Sequence, residues 1–189
     1  MSLDIWKRFH DKEVSHSMAH YLQAVASLKR QKGYARVGDI ADRLSVSKSG
    51  VTSMLRSLQG RGLVDHERYG CVELTEAGWR LAERTESSRK VVSTFFTEIL
   101  GVSEEIAEED ACMIEHLVSP KAMAQLLRLT MFLRSGHPTA LSFRQIFSER
   151  RDACEGHKPG ECDLCGETCL RESFEREASF RQASGDPHR

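Results

Sequence analysis

Residues 37–74 constrain the fold more tightly than any other stretch. V-G-D-I-A-D-R-L (37–44) places Ile40, Ala41 and Leu44 on one face of a short helix. Ser45-Val46-Ser47 leaves room only for a turn. Ser47 or Ser49 can then cap a second helix running to about Gln59, with Val51, Met54, Leu55 and Leu58 inward. Gly60 and Gly62 end that helix, and Leu63-Val64 begins a strand. Arg68-Tyr69-Gly70 turns the chain, and Cys71-Val72-Glu73-Leu74 returns as the partner strand. Helix, turn, helix and a two-stranded hairpin is the order of a winged helix-turn-helix domain, an arrangement that reads the DNA major groove with its second helix and that also serves in protein–protein modules.

The flanks read as helical. Met18, Tyr21, Leu22, Val25 and Leu28 recur at three- and four-residue steps, giving a helix over 15–31 with one apolar stripe and Gly33 as its stop. Thr75 caps a helix over 76–90, and a separate helix is expected over 92–100. Ser103, followed by Glu104 and Glu105, opens another that carries Ile106, Ala111, Ile114, Leu117 and Val118. Ser119-Pro120 starts a last helix to Arg134, burying Met123, Leu126, Leu127 and Phe132, with Gly136 and Pro138 as its end. From His137 onward the chain is polar, rich in cysteine and poor in apolar periodicity, an appendage without a normal core. The expected fold is mostly α in three parts. These are a first helix with a winged helix-turn-helix domain (1–90), an α-helical metal-binding and dimerisation domain (91–136) and a small Cys-rich tail (137–189).

Charge is distributed unevenly. The net charge of the 189 residues is −1. Yet residues 29–68 hold nine Lys/Arg against four Asp/Glu, whereas 101–119 hold six Asp/Glu and no Lys/Arg. A basic block and an acidic block suit a protein that holds phosphates in one place and cations in another, and also suit two solvated helix faces. No apolar run reaches the roughly 20 residues of a membrane span, and the start lacks the layout of a signal peptide. A cytoplasmic location is therefore expected, where the six cysteines would not form structural disulfides. There is no HExxH, Gly-x-Ser-x-Gly or phosphate-binding glycine loop, so an enzyme with a small-molecule substrate is not expected.

Three constellations carry chemistry. The exposed face of the second short helix offers Ser47, Lys48, Ser49, Gly50, Thr52, Ser53 and Arg56. Small hydroxyl residues let a helix sit deep in a groove, and Lys48 and Arg56 supply charge for phosphates or, for Arg, a guanine edge. Arg68 and Tyr69 at the hairpin tip can reach a neighbouring groove or backbone. Cys112, Glu115 and His116 stand at i, i+3 and i+4, so thiolate, carboxylate and imidazole share one helix face. That is a transition-metal donor set, though a half-buried Cys beside an exposed Glu-His pair has the same spacing. Finally, Cys154, Cys162, Cys165 and Cys169 follow C-x7-C-x2-C-x3-C. Four thiolates can hold Zn²⁺ or an iron-sulfur cluster, with His157 as a substitute ligand, or remain free, redox-active thiols.

The segment KGYARVGDIADRLSVSKSGVTSMLRSLQGRGLV (32–64) and the run DACMIEHLVS (110–119) resemble the diphtheria-toxin-repressor family, which includes the iron-dependent repressors and the manganese transport regulators. The resemblance spans about residues 17–134. It implies a homodimer that represses metal-homeostasis genes by binding palindromic double-stranded operator DNA, with a metal between the first helix and the dimerisation helix. Aligned on Lys32-Gly33-Tyr34, His20 falls at the first-helix ligand position, a Met in iron-type and an Asp in manganese-type relatives. Cys112, Glu115 and His116 match the iron-type ligands, whereas manganese-type relatives carry a carboxylate where Cys112 stands. Ligand softness favours Fe²⁺, Co²⁺, Ni²⁺ or Zn²⁺ over Mn²⁺, availability in the cell then selects, and Fe²⁺ is the expected activator with Mn²⁺ as an alternative. The sequence also departs from the family. Arg89 stands where relatives carry an ancillary-site histidine, and Gln23 where the manganese type has a second carboxylate. Arg89 is then expected to act as a built-in cation balancing Glu108, Glu109 or Asp110. The family's C-terminal SH3-like domain has no visible counterpart. The alternative regulator is a redox or iron-sulfur sensor switched through the tail cysteines.

Overall fold

The computed structural model describes residues 15–66 and 70–149. The chain divides into two compact units after Ala140. The first unit begins with α1 (His16–Lys32), α2 (Val37–Leu44), α3 (Lys48–Gly60), β1 (Val64–His66) and β2 (Val72–Leu74). It continues with α4 (Glu76–Thr94), α5 (Glu104–Ile114) and α6 (Pro120–Arg134), and α7 (Pro138–Glu149) starts within it. Arg68 and Tyr69 lie outside the described residues, as do Cys154, His157, Cys162, Cys165 and Cys169.

Local chemistry sets most boundaries as expected. Ser15, Ser47, Thr75 and Ser119 accept backbone N–H bonds at the starts of α1, α3, α4 and α6. Gly33 closes α1 in the left-handed region at φ 80°, where a Cβ is disfavoured. Val64 pairs with Leu74 and His66 with Val72 in an antiparallel hairpin. Its tip, residues 67–69, is not described.

The core is centred on α1. Leu22 and Val25 are fully buried and cluster with Ile40, Val51, Leu55, Leu58, Val64 and Val72. The sequence suggested a single apolar stripe on α1, but Ala19, Ala24 and Ala26 are buried as well. Helix α1 is packed by α2 and β2 and also by α4, and its alanines allow that close approach. A second close approach joins α4 to the strands. Gly78 sits where an added Cβ would collide with the Leu63 carbonyl. Beside it, Thr75 caps Gly78 N–H through the oxygen that also donates to the Gly62 carbonyl at 2.7 Å.

Several expectations are corrected. The helices expected over 76–90 and 92–100 are one rod: α4 runs to Thr94 and continues into a π-helical turn, Phe95–Ile99. No Gly or Pro interrupts residues 79–100, so nothing in the chain forces a break. Helix α5 ends at Ile114 rather than near Val118, and Leu117 and Ile106 are exposed. On α6 the buried residues are Thr130 and Leu133, whereas Leu127, Leu129, Met131 and Phe132 face outward. A single chain offers too few neighbours to cover this helix all round. Pro138 does not only end α6: it opens α7, with Thr139 N–H donating to His137 Nδ1. In the second unit, the part of α7 from Leu141 onward exposes Leu141, Phe143, Ile146 and Phe147.

Candidate metal centre

Helix α1 brings His20, one α-helical turn after His16, to face α5. Its Nε2 lies 3.2 Å from Cys112 Sγ and 3.1 Å from His16 Nε2. One ligand atom from each of His16, His20 and Cys112 lies within 4.8 Å of the other two. The His16 ring also stands 4.9 Å, centre to centre, from that of His116. Cys112 is on α5, and Glu115 and His116 are on the turn just beyond it, still in helical phase because Glu115 N–H donates to the Ala111 carbonyl. The i, i+3, i+4 spacing therefore does converge on the first helix.

Within that convergence Glu115 has polar partners on both α1 and α4. It is buried, at 2% exposure. Its Oε1 accepts a 3.3 Å hydrogen bond from the Gln23 amide, and its Oε2 faces Arg89 Nε at 3.7 Å. Arg89 thus forms its ion pair with Glu115, and not with the acidic run 108–110 as the sequence suggested. In that run, Glu108 accepts from Ser93 Oγ at 2.7 Å. Residue 89 on α4 faces the end of α5 instead of its middle.

The donors are held toward their uncharged forms. Burial, then the charges of His16 and Arg89, lower His20 below the usual imidazole range. Burial, then the nearby Glu115 carboxylate, push the Cys112 thiol up. Burial pushes Glu115 up to about 7, outweighing the help that Arg89 and Gln23 give its charged form. A bound cation would reverse the shifts of Cys112 and Glu115, favouring thiolate and carboxylate, and would reinforce the neutral imidazole that the lowered His20 already presents. The donor set fits a divalent transition metal.

Sequence reading missed His16. Its one available signal was the His-x3-His spacing at the start of α1, which places two imidazoles on one helix face. The groove-reading candidates are in place as a surface. Ser47, Lys48, Ser49, Gly50, Ser53 and Arg56 are exposed on and beside α3, and Thr52 is half-buried. Three of these hydroxyls have local partners: Ser47 caps Gly50 N–H and shares a hydrogen bond with Ser49 Oγ at 3.1 Å, and Thr52 donates to the Lys48 carbonyl.

Comparison with known proteins covers both halves. Residues 13–72 match the family model described as the iron dependent repressor N-terminal DNA binding domain, and residues 75–138 that of its metal binding and dimerisation domain. The chain is 30% identical over 133 residues to the HTH-type transcriptional regulator MntR of Oceanobacillus iheyensis, covering 70% of this chain and 90% of the relative. It is 34% identical over 125 residues to MntR of Listeria welshimeri, covering 66% and 87%. A solved structure of a manganese-dependent transcriptional repressor in complex with manganese superposes at TM-score 0.54 and 28% identity, over 61% of this chain. The match spans only 53% of that longer chain. A helix-turn-helix with its hairpin, followed by helices that bring Cys112 and His116 to the first helix, is matched from end to end by these two models, and the chain belongs to the iron-dependent repressor family.

Proposed function

We propose that the chain is a metal-dependent, DNA-binding transcriptional repressor of metal-homeostasis genes, acting as a homodimer on palindromic double-stranded operator DNA. One observation carries this reading: the donor atoms come from both α1, which forms the core of the helix-turn-helix, and α5, which lies outside it. Bound there, a divalent transition cation supplies positive charge that donors of both elements share. His20 holds the α1 side, and Cys112, Glu115 and His116 hold the α5 side. Gln23 orients the Glu115 carboxylate. Joining the two sides restricts how α1, and with it α3, sits relative to the subunit-pairing helices. Two recognition helices must keep a fixed separation to meet successive major grooves.

Helix α3 reads DNA with Ser47, Lys48, Ser49, Gly50, Thr52, Ser53 and Arg56, and the hairpin tip adds Arg68 and Tyr69 as a wing. The outward apolar residues Leu127, Leu129, Met131 and Phe132 of α6 supply a subunit contact. The division into DNA-binding (1–90), dimerisation (91–136) and tail (137–189) parts then falls within the continuous α4 and just before α7. Fe²⁺ is the favoured activator, and Mn²⁺, Co²⁺, Ni²⁺ and Zn²⁺ are compatible with the donors. No helix among the described residues is long and apolar enough to cross a membrane, in line with a cytoplasmic regulator.

The C-x7-C-x2-C-x3-C spacing of Cys154, Cys162, Cys165 and Cys169 favours a second reading, in which a tail zinc or iron-sulfur site is the switch. Anaerobic operator binding with and without Fe²⁺, Mn²⁺ and Zn²⁺ tests both. Metal should tighten binding tenfold or more, about 1.4 kcal/mol, and Cys112→Ser should abolish the response. If only a Cys162→Ser/Cys165→Ser variant loses it, the tail is the switch and the core reading fails.

A further inference from the structure

We propose that His16 is itself a metal ligand, giving this centre a nitrogen- and sulfur-rich inner set that selects zinc-class cations (Zn²⁺, Co²⁺, Fe²⁺) over Mn²⁺. The inference rests on the metal-dependent reading above and adds a residue and a selectivity to it. Its first support is spacing. Donors around one tetrahedral zinc, bound at about 2.0–2.1 Å for nitrogen and 2.3 Å for sulfur, sit roughly 3.3–3.6 Å apart. His16 Nε2 to His20 Nε2 is 3.1 Å, and His20 Nε2 to Cys112 Sγ is 3.2 Å. Two of the three pairs thus lie at about the separation of neighbouring ligands of one ion, and the three residues' ligand atoms all lie within 4.8 Å of one another. Two imidazole Nε2 atoms this close can share one proton at most. A cation between them takes a lone pair from each.

The second support is position. His16 is the first residue of α1 and belongs to neither the hydrophobic core nor the DNA-reading face. Its ring instead packs edge-on against His20 at 4.4 Å and lies tilted against His116 at 4.9 Å. The third support is the state of the nearby carboxylate. Glu115 Oε1 is taken by the Gln23 amide, whereas Oε2 meets the Arg89 guanidinium at 3.7 Å and is buried with no hydrogen-bond partner among the described residues. One carboxylate oxygen is thus left to join two imidazoles and a thiol, so nitrogen and sulfur outnumber oxygen among the donors. Borderline-soft donors of that kind suit zinc, cobalt and ferrous iron better than manganese.

The test is anaerobic Co²⁺, Zn²⁺ and Mn²⁺ titration of the full chain, read by equilibrium affinity and by the Co²⁺ visible spectrum. Wild type, His16→Ala, His16→Gln and Cys112→Ser are compared. Both His16 variants should lose at least about tenfold in Co²⁺ and Zn²⁺ affinity and shift the Co²⁺ bands, while Mn²⁺ affinity changes less than threefold. His16→Gln keeps the size and polarity of the helix start, and circular dichroism of each metal-free variant reports folding. Unchanged Co²⁺ affinity and spectrum in the His16 variants overturns the inference. If Cys112→Ser abolishes the Co²⁺ signal in that case, only the role of His16 has failed. If Cys112→Ser is silent too, the metal-centre reading itself is wrong.

Discussion

Glu115 sits where burial opposes its charge and two polar neighbours support it. With its carboxyl pushed up to about 7, the folded chain binds a proton that the unfolded chain, near the ordinary carboxyl value, has released. Stability contributed by this group is therefore full below about pH 4.5 and is lost as pH rises through 7. The difference amounts to roughly 3 kcal/mol. Metal-free protein should accordingly melt lower at pH 8 than at pH 5.5, and Glu115→Gln should remove most of that slope, as measured by thermal unfolding with a chelator present. A Glu115→Gln protein that keeps the wild-type pH slope would rule out this origin. The sequence exposed Cys112, Glu115 and His116 as a unit because i, i+3, i+4 is a local rule. It exposed neither the Gln23 bond nor the Arg89 pairing, because each depends on where a different helix comes to rest, 92 residues away for Gln23.

Among the elements, α4 and α3 bear the sharpest tests. Gly78 lets α4 lie directly on the chain entering β1, and a methyl group there has no room beside the Leu63 carbonyl. Gly78→Ala should destabilise the fold by about 1–3 kcal/mol despite alanine's better helix propensity, read by urea unfolding. An unchanged or raised midpoint would mean α4 can shift freely. On α3, Lys48 and Arg56 are exposed near opposite ends of the helix. Lys48→Ala should weaken operator binding about equally across sequences and lower the salt slope by about one. Arg56→Ala should do the same if it touches phosphate, and relax preference at one base position if it reads guanine. The recognition segment was legible because caps and periodicity are written into it: Ser47 caps, and Val51, Leu55 and Leu58 are buried. The merged helix over 76–99 was not legible, since apolar spacing changes phase in the π-helical turn. The outward face of α6 was misassigned because periodicity marks an apolar side without saying whether the chain or a second copy covers it.

For the whole molecule, the apolar face proposed as the subunit contact lies on α6 and the proposed DNA-reading residues lie on α3, so one substitution can disturb pairing without altering a DNA-reading residue. Met131, 64% exposed, lies on the outward side. Met131→Glu should leave the single chain folded and metal-competent, shift it toward monomer in sedimentation, and weaken operator binding at least tenfold through loss of the second half-site. Retention of a tight dimer would move the subunit contact elsewhere. The π-helical turn at residues 95–99 closes the long rod that α4 begins. Accepting an extra residue without completing an extra α-helical turn sets the residues at the end of the rod back by about 100°. Within that turn, Glu98 pairs with Arg134 of α6 at 2.6 Å. Removing a single amino acid there would swing Glu98 away from Arg134 like a mis-keyed coupling, while the contacts of α4 with α1 upstream stay as they were.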